Sequence, residues 1–219
     1  MGLVDNIINH CSRAKLSNEK KIAFESFLNH GFPTTKNEEW KYTSLKKVLN
    51  EDFSLFPESE HTIEFRDVQP YFIHDIDTYK IVFIDGKYAS HLSQTTHEGI
   101  DVCLMSSALT QTKYRAVIEN YFNKIAPKDN LTALNTAFCS EGAYIHIKKN
   151  KVSKRPIQII HFSTAKESAL LLQPRNLIVV DENAHVQVIE RHQSLTENPT
   201  LTNSVTEIFA NKRANIDYY

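Results

Sequence analysis

The sequence predicts a mainly β fold, a β-solenoid whose first coils follow a largely helical amino-terminal region. The first observation is a set of short runs in the last third of the chain that alternate apolar and polar residues, which is typical of half-buried strands. These runs are Ile145-His146-Ile147, Ile157-Gln158-Ile159, Val186-Gln187-Val188 and Ile216-Asp217-Tyr218. The second observation is a repeat: residues 179–186 line up, about thirty residues later, with residues 209–216. Because one coil cannot bury its apolar row alone, such repeats are expected to stack.

The composition is that of a soluble globular protein, with 41% hydrophobic and 23% charged residues among 219. The net charge of −1 provides no electrostatic basis for binding nucleic acid or an anionic membrane. Three widely spaced cysteines suit a reducing compartment better than a disulfide framework. The first residues have neither a basic region nor an apolar signal-peptide core. We therefore expect a cytoplasmic protein.

The amino-terminal region begins with two predicted helices that form a hairpin with one buried face. Apolar residues recur at helical spacing from Leu3 to Cys11, and Ser17 can cap a second helix that ends at Gly31. Trp40 is predicted to open a further helix that continues through Leu49.

Basic and aromatic side chains interleave around this tryptophan, at Lys36, Trp40, Lys41 and Tyr42. One interpretation is a surface on which nucleic-acid bases stack. The alternative is an aromatic anchor whose neighbouring charges reach water. Since Glu38 and Glu39 would repel phosphate and the net charge is near zero, we favour the anchor.

The middle of the chain predicts a hairpin followed by mixed elements. A strand over 81–84 leads into the turn signal Asp85-Gly86, and residues 87–89 return. A strand is predicted over 101–105, then a helix around 116–122 and a second helix capped by Asp129-Asn130. We divide the chain into an amino-terminal helical or α+β domain at 1–100, a connection at 101–141, and the start of the β-solenoid, cut short, at 142–219.

Motifs for several enzyme classes do not occur. The five glycines form neither GxxxxGK[ST] nor GxGxxG, and CxxC, HExxH and GxSxG are also missing. This argues against nucleotide hydrolysis, zinc-dependent hydrolysis and serine esterase activity in these 219 residues.

Ten histidines are more than usual for this length. His146 and His185 fall on outward positions of the alternating runs, whereas His161 shares the parity of Ile157 and Ile159 and points inward. Stacked histidines could bind a transition metal. Solvent-facing or locally hydrogen-bonded histidines are the alternative, which we favour because no second ligand lies at a recognisable spacing.

Three other places could carry chemistry. Cys139 follows a predicted helix end near Glu141, which disfavours a reactive thiolate and favours a structural cysteine. The run Glu190-Arg191-His192 could perform acid–base chemistry, but we interpret it as the point where a strand leaves the core. Arg175 could bind an anion or bridge coils by hydrogen bonds, and we favour the bridge. We predict no catalytic, cofactor-binding or metal-binding residue and no cofactor.

Four groups of residues form an ordered pattern along nearly the whole chain. They are Pro33, Lys36, Glu38, Trp40-Lys41-Tyr42-Thr43 and Leu45; Val82 to Tyr88 with Leu92-Ser93; Leu134-Asn135, Ala137-Phe138 and Gly142; and Pro156-Ile157, Pro174-Arg175, Glu190, Asn203, Glu207, Ala214 and Tyr218-Tyr219. This pattern resembles the SufD family, scaffold subunits of the SUF iron–sulfur cluster assembly system. The Trp-Lys-Tyr-Thr element favours SufD over its paralogue SufB.

The resemblance implies a right-handed parallel β-helix, which agrees with the repeat. It also implies a non-ATPase scaffold in a cytosolic complex with SufB and the SufC ATPase. The missing phosphate-binding loop agrees with the non-ATPase role. Family members are considerably longer, and their interface cysteine and histidine residues lie in the later part. We therefore expect this chain to be an amino-terminal portion, and neither His185 nor His192 replaces those residues.

Two other functions stay open at this point. One is a β-solenoid enzyme of the acyltransferase or glycan-active kind, although the hexapeptide period of left-handed acyltransferase solenoids is missing. The other is a standalone interaction module that folds as a monomer. An open last coil near Tyr219 would instead expose a strand edge and predicts self-association.

Overall fold

The computed structural model describes residues 2–13, 16–55, 63–95, 100–126, 129–139, 141–165 and 168–219. The α-helices of these residues are α1 (Leu3–Arg13), α2 (Asn18–His30), α3 (Phe65–Val68), α4 (Met105–Thr110), α5 (Arg115–Tyr121) and α6 (Asn130–Phe138). The strands are β1 (Phe53–Ser54), β2 (Tyr79–Ile84), β3 (Lys87–Tyr88), β4 (Ile100–Leu104), β5 (Ala143–Ile147), β6 (Ile157–Ser163), β7 (Ala169–Leu172), β8 (Arg175–Val180), β9 (His185–Ser194), β10 (Thr200–Thr202), β11 (Val205–Ala210) and β12 (Asn215–Tyr218).

The strands form three sheets. Their orders are β1-β7-β10, β11-β8-β5-β4 and β12-β9-β6-β2-β3. Most neighbours are parallel, but β2 pairs with β3 and β4 pairs with β5 in antiparallel fashion. Strands from the first half of the chain therefore share sheets with strands from the last third.

The predicted fold class, mainly β with a right-handed parallel β-helix, is wrong. Over the described residues, the structure is a mixed α/β fold with six α-helices and parallel and mixed sheets, and it shows no closed or solenoid β-helix there. The cause is the placement of β2 beside β6 and of β4 beside β5, which extends the sheets with strands that do not belong to the repeat. A sequence repeat specifies which neighbouring strands resemble each other, but it does not specify what else joins their sheets.

The repeat itself does pair in the predicted alignment. Val179 lies beside Phe209 and Val186 beside Ile216, both in parallel register. The two polar turns also stack, since Arg213 Nε donates to Asn183 Oδ1 at 2.7 Å. Asn183 and Arg213 both adopt positive φ, 58° and 56°, at equivalent turn positions. The turn geometry is thus repeated along with the strands.

The two amino-terminal helices are confirmed as α1 and α2. Ser17 caps α2 by accepting from the Lys20 N–H at 3.4 Å. Leu3, Ile7 and Phe27 are buried in one apolar cluster, in which α2 packs against α6. This cluster attaches the helices to the sheet that begins at β1.

The helix predicted from Trp40 to Leu49 is wrong. Short 3₁₀ turns at Glu38–Trp40 and Val48–Asn50 enclose irregular backbone instead. The reason is local competition for the backbone, because the Ser44 hydroxyl accepts from the Lys46 N–H at 3.4 Å. The propensity of the apolar residues therefore did not decide the structure of this segment.

The predicted hairpin is confirmed as β2 and β3. Asp85 and Gly86 adopt positive φ of 48° and 77°, as the Asp-Gly signal requires. The Asp85 carboxylate accepts from the Thr164 N–H at 2.7 Å and the Thr164 hydroxyl at 2.6 Å. This contact fixes the hairpin to the end of β6.

The central core lies between the two larger sheets and consists of Ile, Val, Phe and Ala side chains. Its members include Ile81, Phe83, Ile145, Ile157, Ile159, Ile178, Val180, Val186 and Val188.

Among the helices that the structure describes, none has the length and apolar character needed to cross a membrane.

Candidate functional site

One face of β6 and β9 changes from apolar to polar along its length. Alternation places Ile157, Ile159 and His161 on the same face of β6. The parallel register sets His192 beside His161 and Glu190 beside Ile159. The apolar rows of the central core therefore end in a group of three residues, His161, Glu190 and His192, which we call the His–Glu cluster.

The rings of the cluster belong to a stack that crosses three strands. The Phe83 ring lies 4.7 Å from the His161 ring with an interplanar angle of 9°. The His161 ring lies 4.7 Å from the His192 ring at 6°. Because each ring is contributed by a neighbouring strand, the sheet register sets the spacing of the histidines.

The two histidines approach the same carboxylate oxygen. His192 Nε2 lies 2.9 Å from Glu190 Oε1 and donates to it, since a carboxylate can only accept. His161 Nε2 lies 4.0 Å from that oxygen, beyond hydrogen-bond distance. One nitrogen or oxygen atom from each residue lies within 4.8 Å of the others.

Hydroxyl groups hold the Glu190 carboxylate, whose side chain is 6% exposed. Ser204 Oγ donates to Oε1 at 3.1 Å, and Thr206 Oγ1 donates to Oε2 at 2.9 Å. The Tyr218 hydroxyl makes a short hydrogen bond to Oε2. Burial by itself would raise the pKa of Glu190, but the hydrogen bonds from His192 and Tyr218 outweigh it and lower the pKa to about 2. The carboxylate is therefore ionised and fixed in position.

His161 lacks comparable partners. Its side chain is 4% exposed, and its Nε2 has no hydrogen-bond partner among the residues that the structure describes. Burial, followed by the charge of His192, lowers the pKa of His161 to about 3. The ring is therefore neutral near pH 7 and does not serve as an acid there.

A cleft adjoins the cluster through Ser204. Its volume is about 580 Å³, and its walls come from the Trp40 turn, the start of α6 and residues 203–205. Ser204 thus lines the cleft and also donates to Glu190.

A second polar group links β8 and β11 inside the fold. Arg175 and Glu207 are each 1% exposed, and Arg175 Nη2 donates to Glu207 Oε2 at 2.8 Å. The Glu207 carboxylate also accepts from the backbone N–H groups of residues 123–126, at 2.9 to 3.2 Å. Arg175 thus has the structural role that we favoured, since its partner is a carboxylate of the same chain, and it bridges two strands rather than two coils of a solenoid.

The other histidines that the sequence singled out lie outside the cluster. His146 Nε2 pairs with Asp181 at 2.9 Å, and its side chain is 12% exposed. His185 is more exposed and lies 3.6 Å from Asp217. The structure therefore separates both residues from His161, whose predicted inward orientation is confirmed.

The three cysteines are free thiols and partly buried. Burial raises the pKa of Cys11 to about 11 and also raises the pKa of Cys103. Cys139 lies at the carboxyl end of α6, as the sequence indicated.

Sequence reasoning treated His161 and the run 190–192 separately and so missed their grouping. The structure carries β9 through Glu190 to Ser194, with side chains more exposed after Glu190. The sequence pattern does not contain the register of β6 against β9, which brings the residues together. In the structure, the register that pairs Ile157 with Val188 also aligns His161 with His192. Parallel neighbours in a sheet can bring ligands together that no short motif contains.

Comparison with known proteins identifies the family. The model of the SufBD protein N-terminal region matches residues 4–159, and the model of the SufBD core domain of SUF system FeS cluster assembly matches residues 161–219. A SufBD family protein of Synechocystis is 24% identical over 212 residues, which cover 93% of this chain and 46% of that protein. SufD of Escherichia coli is 25% identical over 186 residues (84% and 40%), and SufD of Bacillus subtilis is 24% identical over 192 residues (84% and 42%). The chain thus spans less than half the length of each of these three relatives. Two consecutive family matches extend over nearly all of this chain. The chain therefore belongs to the SufBD family of iron–sulfur cluster assembly proteins, and it is similar to SufD.

Proposed function

We propose that this chain is a non-ATPase scaffold component of iron–sulfur cluster assembly that works with a SufB homologue and the SufC ATPase. The observation that carries this proposal is the pair of SufBD family matches at 4–159 and 161–219. The absence of GxxxxGK[ST] from the 219 residues supports the assignment of nucleotide chemistry to SufC.

The internal construction of the fold also supports a scaffold role. The carboxylates of Glu207, Asp85 and Glu190 each join segments that are distant in sequence. Such buried contacts keep strands and connections in one arrangement, which a surface that positions partner proteins needs. We further propose that the chain performs no catalysis of its own.

Co-purification tests the proposal. The tagged chain is co-expressed with SufB and SufC homologues from the same organism, and the complex is isolated by affinity and size-exclusion chromatography with light scattering. We expect all three chains to elute together, with ATP hydrolysis dependent on SufC. A His185→Gln variant serves as a matched control that alters an exposed histidine and should assemble normally.

The proposal would be overturned if SufB and SufC formed a complete complex that excluded the chain. Hydrolysis of ATP by the isolated chain would overturn the non-ATPase assignment. The same light-scattering run measures self-association near Tyr219, which we propose to occur through β12, an outer strand of its sheet. A monomer at high protein concentration would contradict that part.

A further inference from the structure

The His–Glu cluster offers the donor atoms of a transition-metal site. Two imidazole nitrogens and one carboxylate oxygen form a ligand set used by zinc sites and by mononuclear iron(II) sites. In this fold the set comes from His161, His192 and Glu190, whose donor atoms lie within 4.8 Å of one another. Neighbouring strands contribute them, so the sheet fixes their backbones.

The unpaired nitrogen of His161 points to a missing ligand. A buried polar atom without a hydrogen bond is unfavourable, and a bound ligand can supply the missing partner. His161 Nε2 is such an atom, and it faces the anionic Glu190 Oε1 at 4.0 Å. A cation between these two atoms would satisfy the nitrogen and neutralise part of the carboxylate charge.

The surroundings of Glu190 resemble those of an oriented metal ligand. Carboxylates that bind metals are themselves held by hydrogen bonds from neighbouring residues. Ser204, Thr206 and Tyr218 supply three such hydrogen bonds from other parts of the chain. They fix the carboxylate, and Oε1, the oxygen that both histidines approach, accepts from His192 and Ser204.

We propose that His161, Glu190 and His192 bind one divalent transition-metal ion of the Zn²⁺ or Fe²⁺ type. Ligand distances of about 2.0–2.2 Å require the side chains to move closer together, with His192 exchanging its hydrogen bond to Glu190 for the metal. Three protein ligands leave at least one coordination position for water or another ligand. The inference does not depend on the proposed scaffold role, because complex formation and metal binding are measured separately.

Isothermal titration of the chelator-treated chain with Zn²⁺, and with Fe²⁺ under anaerobic conditions, tests the proposal. We expect one equivalent of tight binding that His161→Phe weakens at least tenfold. Zn²⁺ should also raise the melting temperature of the unmodified chain more than that of His161→Phe at the same concentration. His185→Gln, which alters another histidine of β9, should bind like the unmodified chain.

His161→Phe separates loss of a ligand from loss of the fold. Phenylalanine continues the ring stack between Phe83 and His192 and removes the unpaired nitrogen, so the metal-free variant should melt no lower than the unmodified chain. His192→Phe provides a second test at a more exposed position. Any zinc held by the three free thiols is common to all variants and cancels in the comparison.

Two results would overturn the proposal. One is the absence of Zn²⁺ and Fe²⁺ binding by the unmodified chain. The other is unchanged affinity and stoichiometry for both metals in folded His161→Phe or His192→Phe.

Discussion

Replacement of Glu207 by alanine should destabilise the fold more than most single changes. The Glu207 carboxylate is 1% exposed and pairs with the equally buried Arg175 at 2.8 Å. It also accepts four backbone N–H groups from residues 123–126, between α5 and α6. One side chain therefore holds a connection, a strand and a buried cation together.

The expected loss is about 3–5 kcal/mol in the free energy of unfolding, the range for removal of one partner from a buried ion pair. The variant leaves the Arg175 charge inside the fold without its carboxylate, and it leaves the four N–H groups to find water. Since domains of this kind are stable by about 5–15 kcal/mol, the loss would remove a large fraction of the free energy of unfolding. Combining Glu207→Ala with Arg175→Met removes the uncompensated charge and should recover part of the loss.

Urea unfolding followed by circular dichroism measures these differences, provided that the slope of the transition is unchanged. His185→Gln should unfold within about 0.5 kcal/mol of the unmodified chain, as expected for a substitution away from buried networks. A Glu207→Ala variant within about 1 kcal/mol of the unmodified chain would refute this reasoning. A double variant less stable than Glu207→Ala would show that the Arg175 charge is not the main penalty.

Two further predictions concern a close backbone approach and a thiol. Gly142→Ala should cost about 2–3 kcal/mol in urea unfolding, because its Cβ would lie 1.9 Å from the backbone oxygen of Arg175. Gly2→Ala is the control, since its Cβ would meet Leu49 at an ordinary 3.8 Å, and equal stability of the two variants would contradict the prediction. Cys11 should react with iodoacetamide at pH 8 at least tenfold more slowly in the folded chain than in urea, because burial raises its pKa to about 11 and makes the thiolate scarce. Peptide mass spectrometry measures both rates, and equal rates would exclude this effect of burial.

Local signals in the sequence were sufficient for several elements. Ser17 and Asp129 predicted the starts of α2 and α6 because a short polar side chain satisfies the first free N–H groups of a helix. Asp85-Gly86 predicted the hairpin because that turn requires positive φ at both residues. In each case the deciding interaction lies within a few residues of the signal.

The fold class depended on interactions that no local pattern contains. Nothing in the alternation of 100–104 shows that β4 runs antiparallel to β5, or that β2 inserts between β3 and β6. Trp40 failed as a helix signal for a different, local reason, because the Ser44 hydroxyl competes for the Lys46 N–H within the same segment. Strand partners are selected by the packing of the whole domain, so a repeat of two units cannot determine the sheet order.

The His–Glu cluster interrupts the apolar rows of β6 and β9 with polar side chains. A fold selected only for stability would continue the rows Ile157–Ile159 and Val186–Val188 with further apolar side chains, since these positions face the same core. The chain places His161 and Glu190 there instead, and it supplies three hydroxyl donors to hold the carboxylate. Such a network is favourable only when every member is paired, yet His161 Nε2 is left without a partner among the described residues. This unpaired nitrogen is the atom of the cluster that a metal ion beside Glu190 would satisfy. If the cluster is a metal site, the His161→Phe variant should be as stable as the unmodified chain but should bind the metal at least tenfold more weakly.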